Sequence, residues 1–192
     1  MTIDYSNYYW KNDLITLRQP QPDDWKELVH HMFDSHNRFF FGEKIEMPTD
    51  LAQYQKREEF LEPDKLDYIC FAIENNKGKH VGIANLFNVD ERNGNFGHIG
   101  ILVNPQDRGK GYAVAAYRML GKYMFNERRM HKWNSGYIEG NIASEALHKK
   151  LGFTVEGVQK DMYFHDRKYW NQVLCGLAEE EFFENEARLN ED

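Results

Sequence analysis

The order of elements in this sequence predicts an α+β domain built around a mixed β-sheet, and three observations carry that reading. Strand signals cluster in an antiparallel run between residues 68 and 103, and helical periodicity begins at Gly109. Strands grouped this way, with interposed helices, define an α+β rather than a regularly alternating fold. A whole helix separates the strand ending at Val103 from the strand starting near Lys132, so these two should run parallel. At 192 residues, the chain fits the roughly 200–250 that one hydrophobic core serves, and a single domain over 1–192 is expected.

Each element has its own signal. Leu14 to Leu17 alternates and reads as a first strand, broken by Pro20 and Pro22. Trp25, Leu28, Val29, Met32 and Phe33 then follow at helical spacing after Asp23 and Asp24. Segment 35–48 reads as a loop bearing Phe39, Phe40 and Phe41, and Thr49 opens a second helix that Pro63 ends near Leu61. Tyr68 to Glu74, His80 to Asn88 and Phe96 to Val103 make a three-stranded meander with turns at 75–78 and 90–94. Tyr112, Ala113, Ala116, Tyr117, Leu120 and Met124 form one helical stripe. Lys132 to Glu139 is the next strand and Ala143 to Leu151 a helix stopped at Gly152. A hairpin of Thr154 to Phe164 and Lys168 to Leu177 ends the core, which spans about 13–178.

Composition removes several classes. Apolar residues make up 41% and charged residues 29%, which suits a globular chain and not a disordered or fibrous one. No apolar run approaches the ~20 residues of a membrane helix, and Met1 to Lys11 lacks the apolar region of a secretory signal. Cys70 and Cys175 sit in apolar stretches without metal-ligand spacing. The expectation is a reducing, cytoplasmic setting, with no disulfide, metal or membrane partner. Of the net charge of −7, seven acids and one base lie in residues 179–192. The body therefore carries only −1, has no basic surplus for nucleic acid, and ends in what reads as a dispensable, solvated acidic tail.

Gln106-Asp107-Arg108-Gly109-Lys110-Gly111-Tyr112-Ala113 is the most telling stretch. It joins an apolar strand to an amphipathic helix. Glycines there let backbone N–H groups approach a phosphate, and the helix N-terminus adds partial positive charge. Arg108 and Lys110 can add full charges. A Walker loop would need Ser or Thr where Gly111 stands, and a dinucleotide fingerprint would need Gly or Ala where Val114 stands. An ordinary glycine-rich turn is the competing reading of this octet alone.

A second motif, Asn141, Ser144, Leu147, Leu151, Gly152 and Phe153, joins it. Together the two resemble the GNAT superfamily of acyl-CoA N-acyltransferases. Its patterns are Gln/Arg-x-x-Gly-x-Gly/Ala and Asn-x-x-Ser-x-x-Leu-x-x-x-Leu-Gly-Phe. The chain looks closest to the branch holding spermidine N-acetyltransferases and Rim-type ribosomal-protein acetyltransferases. The resemblance implies a central sheet with helices on both faces. It also implies acetyl-CoA, as co-substrate, held in a V-shaped gap between the parallel strands. Main-chain groups of Ile101, Leu102 and Val103 would pair with the pantetheine arm. Amides of Arg108, Gly109, Lys110, Gly111, Tyr112 and Ala113 would hold the diphosphate, and Asn141 would bond the pantetheine side. The acceptor would be a small primary amine or polyamine, or a peptide N-terminus, with a homodimer as one possible assembly; a non-catalytic acyl-CoA-binding module is the alternative from another class.

The implied reaction is attack of a neutral amine on a thioester, in which the amine must lose a proton and the thiolate gains from receiving one. A backbone N–H within 101–103 can stabilise the developing oxyanion. Asn141, Ser144 and His148 share one helical stripe expected to face the cofactor, and His148 is the candidate acid, at a position where relatives carry tyrosine. His98, on a strand face with Phe96, Gly100 and Leu102, is the candidate base; Glu139 and water are the alternatives. Loop 35–48 and the last hairpin are expected to border the acceptor, with Glu43, Glu46 and Phe40 as its contacts. The hairpin tip carries Asp166-Arg167 where many relatives have Asp-Gly.

Overall fold

The computed structural model describes residues 7–24, 26, 31, 34–40, 68–97 and 99–189. Strand β1 (Ile15–Arg18) alternates buried and half-buried side chains, as a strand with one covered face should. Arg18 donates to both carboxylate oxygens of Asp24, at 2.8 and 3.0 Å, and to Glu74 at 2.8 Å. It thereby fixes the 3-10 turn Pro22–Asp24 against the sheet. The expected helices after Asp24 and over 49–61 fall outside the described residues, apart from Lys26 and His31, which are helical. Segment 35–48 corrects the loop expectation at its start: Ser35–Phe40 is a short helix, α1. Asp34 provides the cap, its carboxylate accepting from Asn37 N–H at 3.1 Å.

The meander forms as expected in β2 (Tyr68–Asn75) and β3 (His80–Phe87). Its third strand, however, is two: β4 (Asn95–Phe96) and β5 (Ile99–Val103). The Gly97 amide between them donates to the carbonyls of both Phe87 and Asn88, each at 3.1 Å. That pair of bonds pulls the chain onto β3 and ends its pairing elsewhere. Helix α2 (Tyr112–Lys122) follows, then a π-helical turn at Tyr123–Glu127, β6 (Lys132–Ile138) and α3 (Ile142–Lys150). The chain continues through β7 (Thr154–His165) and β8 (Lys168–Ala178). Both tip residues, Asp166 and Arg167, lie in the left-handed region at φ 47° and 61°, as a two-residue type I′ hairpin requires.

The mixed sheet is split into two four-stranded halves, ordered β1-β2-β3-β5 and β4-β6-β8-β7. β4 pairs parallel with β6 through Asn95–Lys132 and Phe96–Trp133. Past that point β5 pairs with β3 and β6 with β8, so the parallel strands diverge. The apex is locked by Trp133. Its fully buried ring stacks on Tyr117 at 5.2 Å and meets Phe96 and Phe153 at 5.0 Å. Ala116, Tyr117, Met119 and Leu120 of α2 bury their stripe in the same core.

The acidic C-terminal segment is not a solvated tail. Glu179–Leu189 is a helix, α4, with acids in its first turn, where the helix dipole favours them. Its apolar side carries Phe182, 2% exposed, into a cluster with Phe125 at 5.1 Å. Its buried Glu186 accepts from Arg118 and pairs with Lys122 at 2.6 Å. Charge counting missed this because Phe182, Phe183 and Glu186 recur at helical spacing within the acidic run.

Candidate active site

The diverging strands leave an open wedge, and backbone direction decides what lines it. The Leu102 carbonyl points at β3, where a Cβ on Gly82 would collide with it. The Asn104 amide likewise turns to β3, donating to Val81 O at 2.8 Å. By strand alternation, Ile101 and Val103 present their main-chain groups to the wedge and Leu102 does not. Leu102 thus departs from the expectation that all three face the ligand. The Val103 carbonyl accepts from Arg108 Nε at 3.2 Å, which ties the guanidinium to the strand end.

Past Asn104 the chain makes a 3-10 turn, Pro105–Asp107, and then the glycine loop. Gly109 and Gly111 have φ of +75° and +83°, conformations that cost an L side chain about 1–2 kcal/mol. Gly111 is the N-cap of α2 and, being glycine, supplies no side-chain cap. The first intrahelical bond runs from Ala115 N–H to Gly111 O at 3.0 Å. The amides of Tyr112, Ala113 and Val114 precede it and have no acceptor within the helix. A Cβ at Gly109 would touch nothing within 4 Å, so the loop's approach is open. Three forward-facing amides at a helix N-terminus suit a diphosphate.

Lys110 does not aim at that position. Its ammonium bonds Asp107 Oδ1 at 2.8 Å and Gln106 O at 3.1 Å. Asp107 also accepts from Lys79 Nζ at 2.6 Å and is only 3% exposed. Burial would raise its pKa, but the hydrogen bonds from Lys110 and Lys79 outweigh that and hold the carboxyl below its ordinary value. Asp107 is therefore the clamp that shapes the loop, a role its position in the octet did not reveal. Asp107→Asn should destabilise the protein by about 1–3 kcal/mol at neutral pH. In urea melts the deficit should be constant above about pH 4 and shrink as pH falls through the lowered pKa, since wild-type Asp107 then also becomes neutral. A deficit unchanged to the acid limit of the fold would contradict the clamp.

On the other side of the wedge, Asn141 caps α3, its side-chain oxygen accepting from Ser144 N–H at 3.1 Å. Asn141 and Ser144 are half-buried at the helix start. His148 is not part of an open polar stripe: it is 3% exposed and turned onto β6. Its Nδ1 lies 2.7 Å from the Ser144 carbonyl and its Nε2 lies 2.8 Å from Ser135 Oγ. Tyr137 and Phe153 pack on the ring at 5.3 and 4.9 Å. A carbonyl only accepts, so Nδ1 carries a hydrogen, and in the neutral ring Nε2 accepts from Ser135. Burial in strand alternation places Ser135 there; no sequence motif marked it.

Of the expected acceptor contacts, Glu43, Glu46 and His98 lie outside the described residues. Phe40 is half-buried and meets His36 edge-on at 5.0 Å. Its neighbour Phe39 stacks on His165 at 4.3 Å and contacts Trp170 at 5.5 Å, so α1 and the hairpin tip do come together. Lys168 Nζ sits 4.1 Å over the Trp170 ring. Glu139 is exposed and accepts from Asn171 at 3.0 Å. Among the described residues no His, Cys, Asp and Glu cluster could hold a metal ion, and no helix is long and apolar enough to cross a membrane.

A split parallel pair beside a glycine loop at a helix N-terminus defines an α+β protein whose geometry suits an extended, phosphate-bearing ligand. Residues 15–154 match the acetyltransferase (GNAT) domain family. The chain belongs to that family and is an acyl-CoA-dependent N-acetyltransferase. It is 32% identical over 177 residues to the SPbeta prophage-derived uncharacterized N-acetyltransferase YokL of Bacillus subtilis (strain 168), covering 91% of this chain and 95% of that protein. It is 29% identical over 98 residues to the ribosomal protein uS5-alanine N-acetyltransferase of Escherichia coli (strain K12), covering 51% of this chain and 50% of that protein. Its fold matches a crystal structure of spermidine N-acetyltransferase from Vibrio cholerae in complex with CoA and spermine. There the TM-score is 0.75 at 17% identity, covering 90% of this chain and 99% of that one.

Proposed function

We propose that this enzyme transfers acetyl from acetyl-CoA to the primary amine of a small molecule or polyamine by direct attack. The observation that carries the cofactor half is the pairing of two features: the N–H groups of Tyr112, Ala113 and Val114, which precede the first intrahelical bond of α2, and the wedge edge at Ile101 and Val103. The Arg108 amide is turned back to Pro105 O at 3.5 Å, so the diphosphate rests on amides from Gly109 to Val114; the pantetheine arm extends along Ile101 and Val103, and Asn141 and Ser144 border its other side. A main-chain N–H at 101 or 103 meets the carbonyl oxygen as charge develops.

The acceptor half rests on the aromatic wall where α1 meets the hairpin. Phe39, His165 and Trp170 form this wall, and the aromatic faces not taken by Lys168, which lies over Trp170, favour cations. A cationic amine fits this wall, with Glu43 and Glu46 as further contacts and His98, Glu139 or water taking the proton. The ribosomal-protein relative supports a second reading, in which the acceptor is a peptide N-terminus.

Thiol release from acetyl-CoA over a panel of amines separates the readings. Spermidine, simple alkylamines and peptides with an N-terminal alanine form the three arms. The first reading expects kcat/KM for an amine arm at least about tenfold above the peptide arm. A peptide preference would overturn it in favour of the second reading.

A further inference from the structure

We infer that Ser135 is a catalytic residue: it relays the proton of His148 to the sulfur of departing CoA. The inference rests on the acetyl-transfer reading above and adds a residue that no sequence motif marks. His148 is 3% exposed and both of its ring nitrogens are engaged. Nδ1 is committed to the Ser144 carbonyl, which only accepts. Nε2 therefore supplies any transferable proton, and its partner is the Ser135 hydroxyl at 2.8 Å. Ser135 stands on β6, the strand that forms one wall of the wedge after its pairing with β4 ends at Trp133.

The geometry serves both protonation states. In neutral His148, Nε2 accepts the Ser135 hydrogen. In the imidazolium, Nδ1–H still meets Ser144 O and Nε2–H donates to Ser135 Oγ, so no buried donor is stranded. Only in that second state is the Ser135 hydrogen released from the ring and free to point elsewhere. The step then balances. The amine nitrogen bonds to the thioester carbon, the C–S bond breaks, and its electron pair leaves on sulfur. Ser135 Oγ–H passes its proton to sulfur while Oγ takes the Nε2 proton. CoA departs as the thiol, Ser135 is unchanged and His148 is neutral. The new amide nitrogen sheds one proton to water, and His148 recovers one from water.

Two measurements test the relay, and the first needs no acceptor amine. A Ser135→Cys variant is incubated with CoA disulfide and its mass is read. A sulfur that reaches this side chain should give a single CoA adduct on the introduced thiol. Ser135 is itself 6% exposed, as Cys70 is, and Cys175 is its partner across the β6–β8 pair, so the variant is made in a Cys70→Ala, Cys175→Ala background, and that background alone is the control. No adduct on a folded variant would overturn the inference. The second measurement compares Ser135→Ala with Ser135→Thr at saturating acetyl-CoA. A positioned proton donor is typically worth ~10²–10⁴ in rate. Ser135→Ala should therefore lower kcat at least about tenfold, with a smaller change in KM for acetyl-CoA, and should lose the limb of the pH–rate profile that belongs to imidazole. Ser135→Thr, which keeps the hydroxyl, should restore both. A Ser135→Ala enzyme that keeps kcat and its pH profile overturns the relay. If wild type acetylates no amine or peptide, the acetyl-transfer reading itself fails, and the adduct still reports whether Ser135 meets the sulfur.

Discussion

Gly111→Glu should abolish the stabilisation that CoA confers while leaving a folded protein. At φ +83° the substitution carries backbone strain of about 1–2 kcal/mol. The space itself is adequate, since a Cβ there meets Leu14 Cδ2 at an ordinary 3.5 Å. For a chain of this size such strain lowers Tm by roughly 2–8 °C. The functional effect should be far larger. A carboxylate at the N-cap would face the amides of Tyr112, Ala113 and Val114 and occupy the place proposed for the diphosphate. CoA that raises the wild-type Tm should leave that of Gly111→Glu unchanged at the same concentration. Gly111→Ala separates the causes: it carries the same strain without the charge and should retain most of the CoA-induced shift. Equal CoA affinity in Gly111→Glu and wild type would remove this loop from the cofactor site.

Phe182→Ala should cost about 3–5 kcal/mol, as expected for truncating a fully buried phenylalanine. That corresponds to a fall in Tm of roughly 6–20 °C. The side chain is 2% exposed, and its ring lies against Gly121 of α2 so closely that a Cβ at Gly121 would stand 2.7–2.9 Å from it. Nothing can collapse easily into the hole, because Phe125 and Trp133 are themselves packed on their far sides. Deleting 179–192 should be at least as damaging, since it also leaves Arg118 and Lys122 without Glu186. Calorimetry on Phe182→Ala is the check. A Tm within about two degrees of wild type would mean that α4 is not docked in solution.

The glycine loop shows how far local sequence carries. Two glycines before an amphipathic stripe specify a turn and a helix N-terminus, and both are where the residues place them. The same octet misled at Lys110, whose charge looked free for a ligand. Its partner Asp107 is three residues away, but the second cation that makes Asp107 a clamp is Lys79, on the β2–β3 turn. His148 is similar. The i, i+3, i+4 rule places it beside Asn141 and Ser144, yet its inward turn depends on a hydroxyl from the preceding strand.

The sequence by itself determined the strands β2, β3, β6, β7 and β8 with the helices α2 and α3 between them, the parallel relation of the strands around α2, the glycine turn before α2 and the family. Each of these follows from periodicity, glycine placement or a short motif, and such signals are local. Only the tertiary structure decided that the third strand breaks at Gly97, that Leu102 turns away from the wedge, that His148 rests on Ser135 and that the acidic end packs as α4. Those outcomes, and the Asp107 clamp, join residues 13, 68 and 28 positions apart, as in Ser135–His148, Arg118–Glu186 and Lys79–Asp107. Burial and hydrogen-bond satisfaction are properties of such pairs, and a charge or a polar group reads as solvated until the fold brings its partner to it.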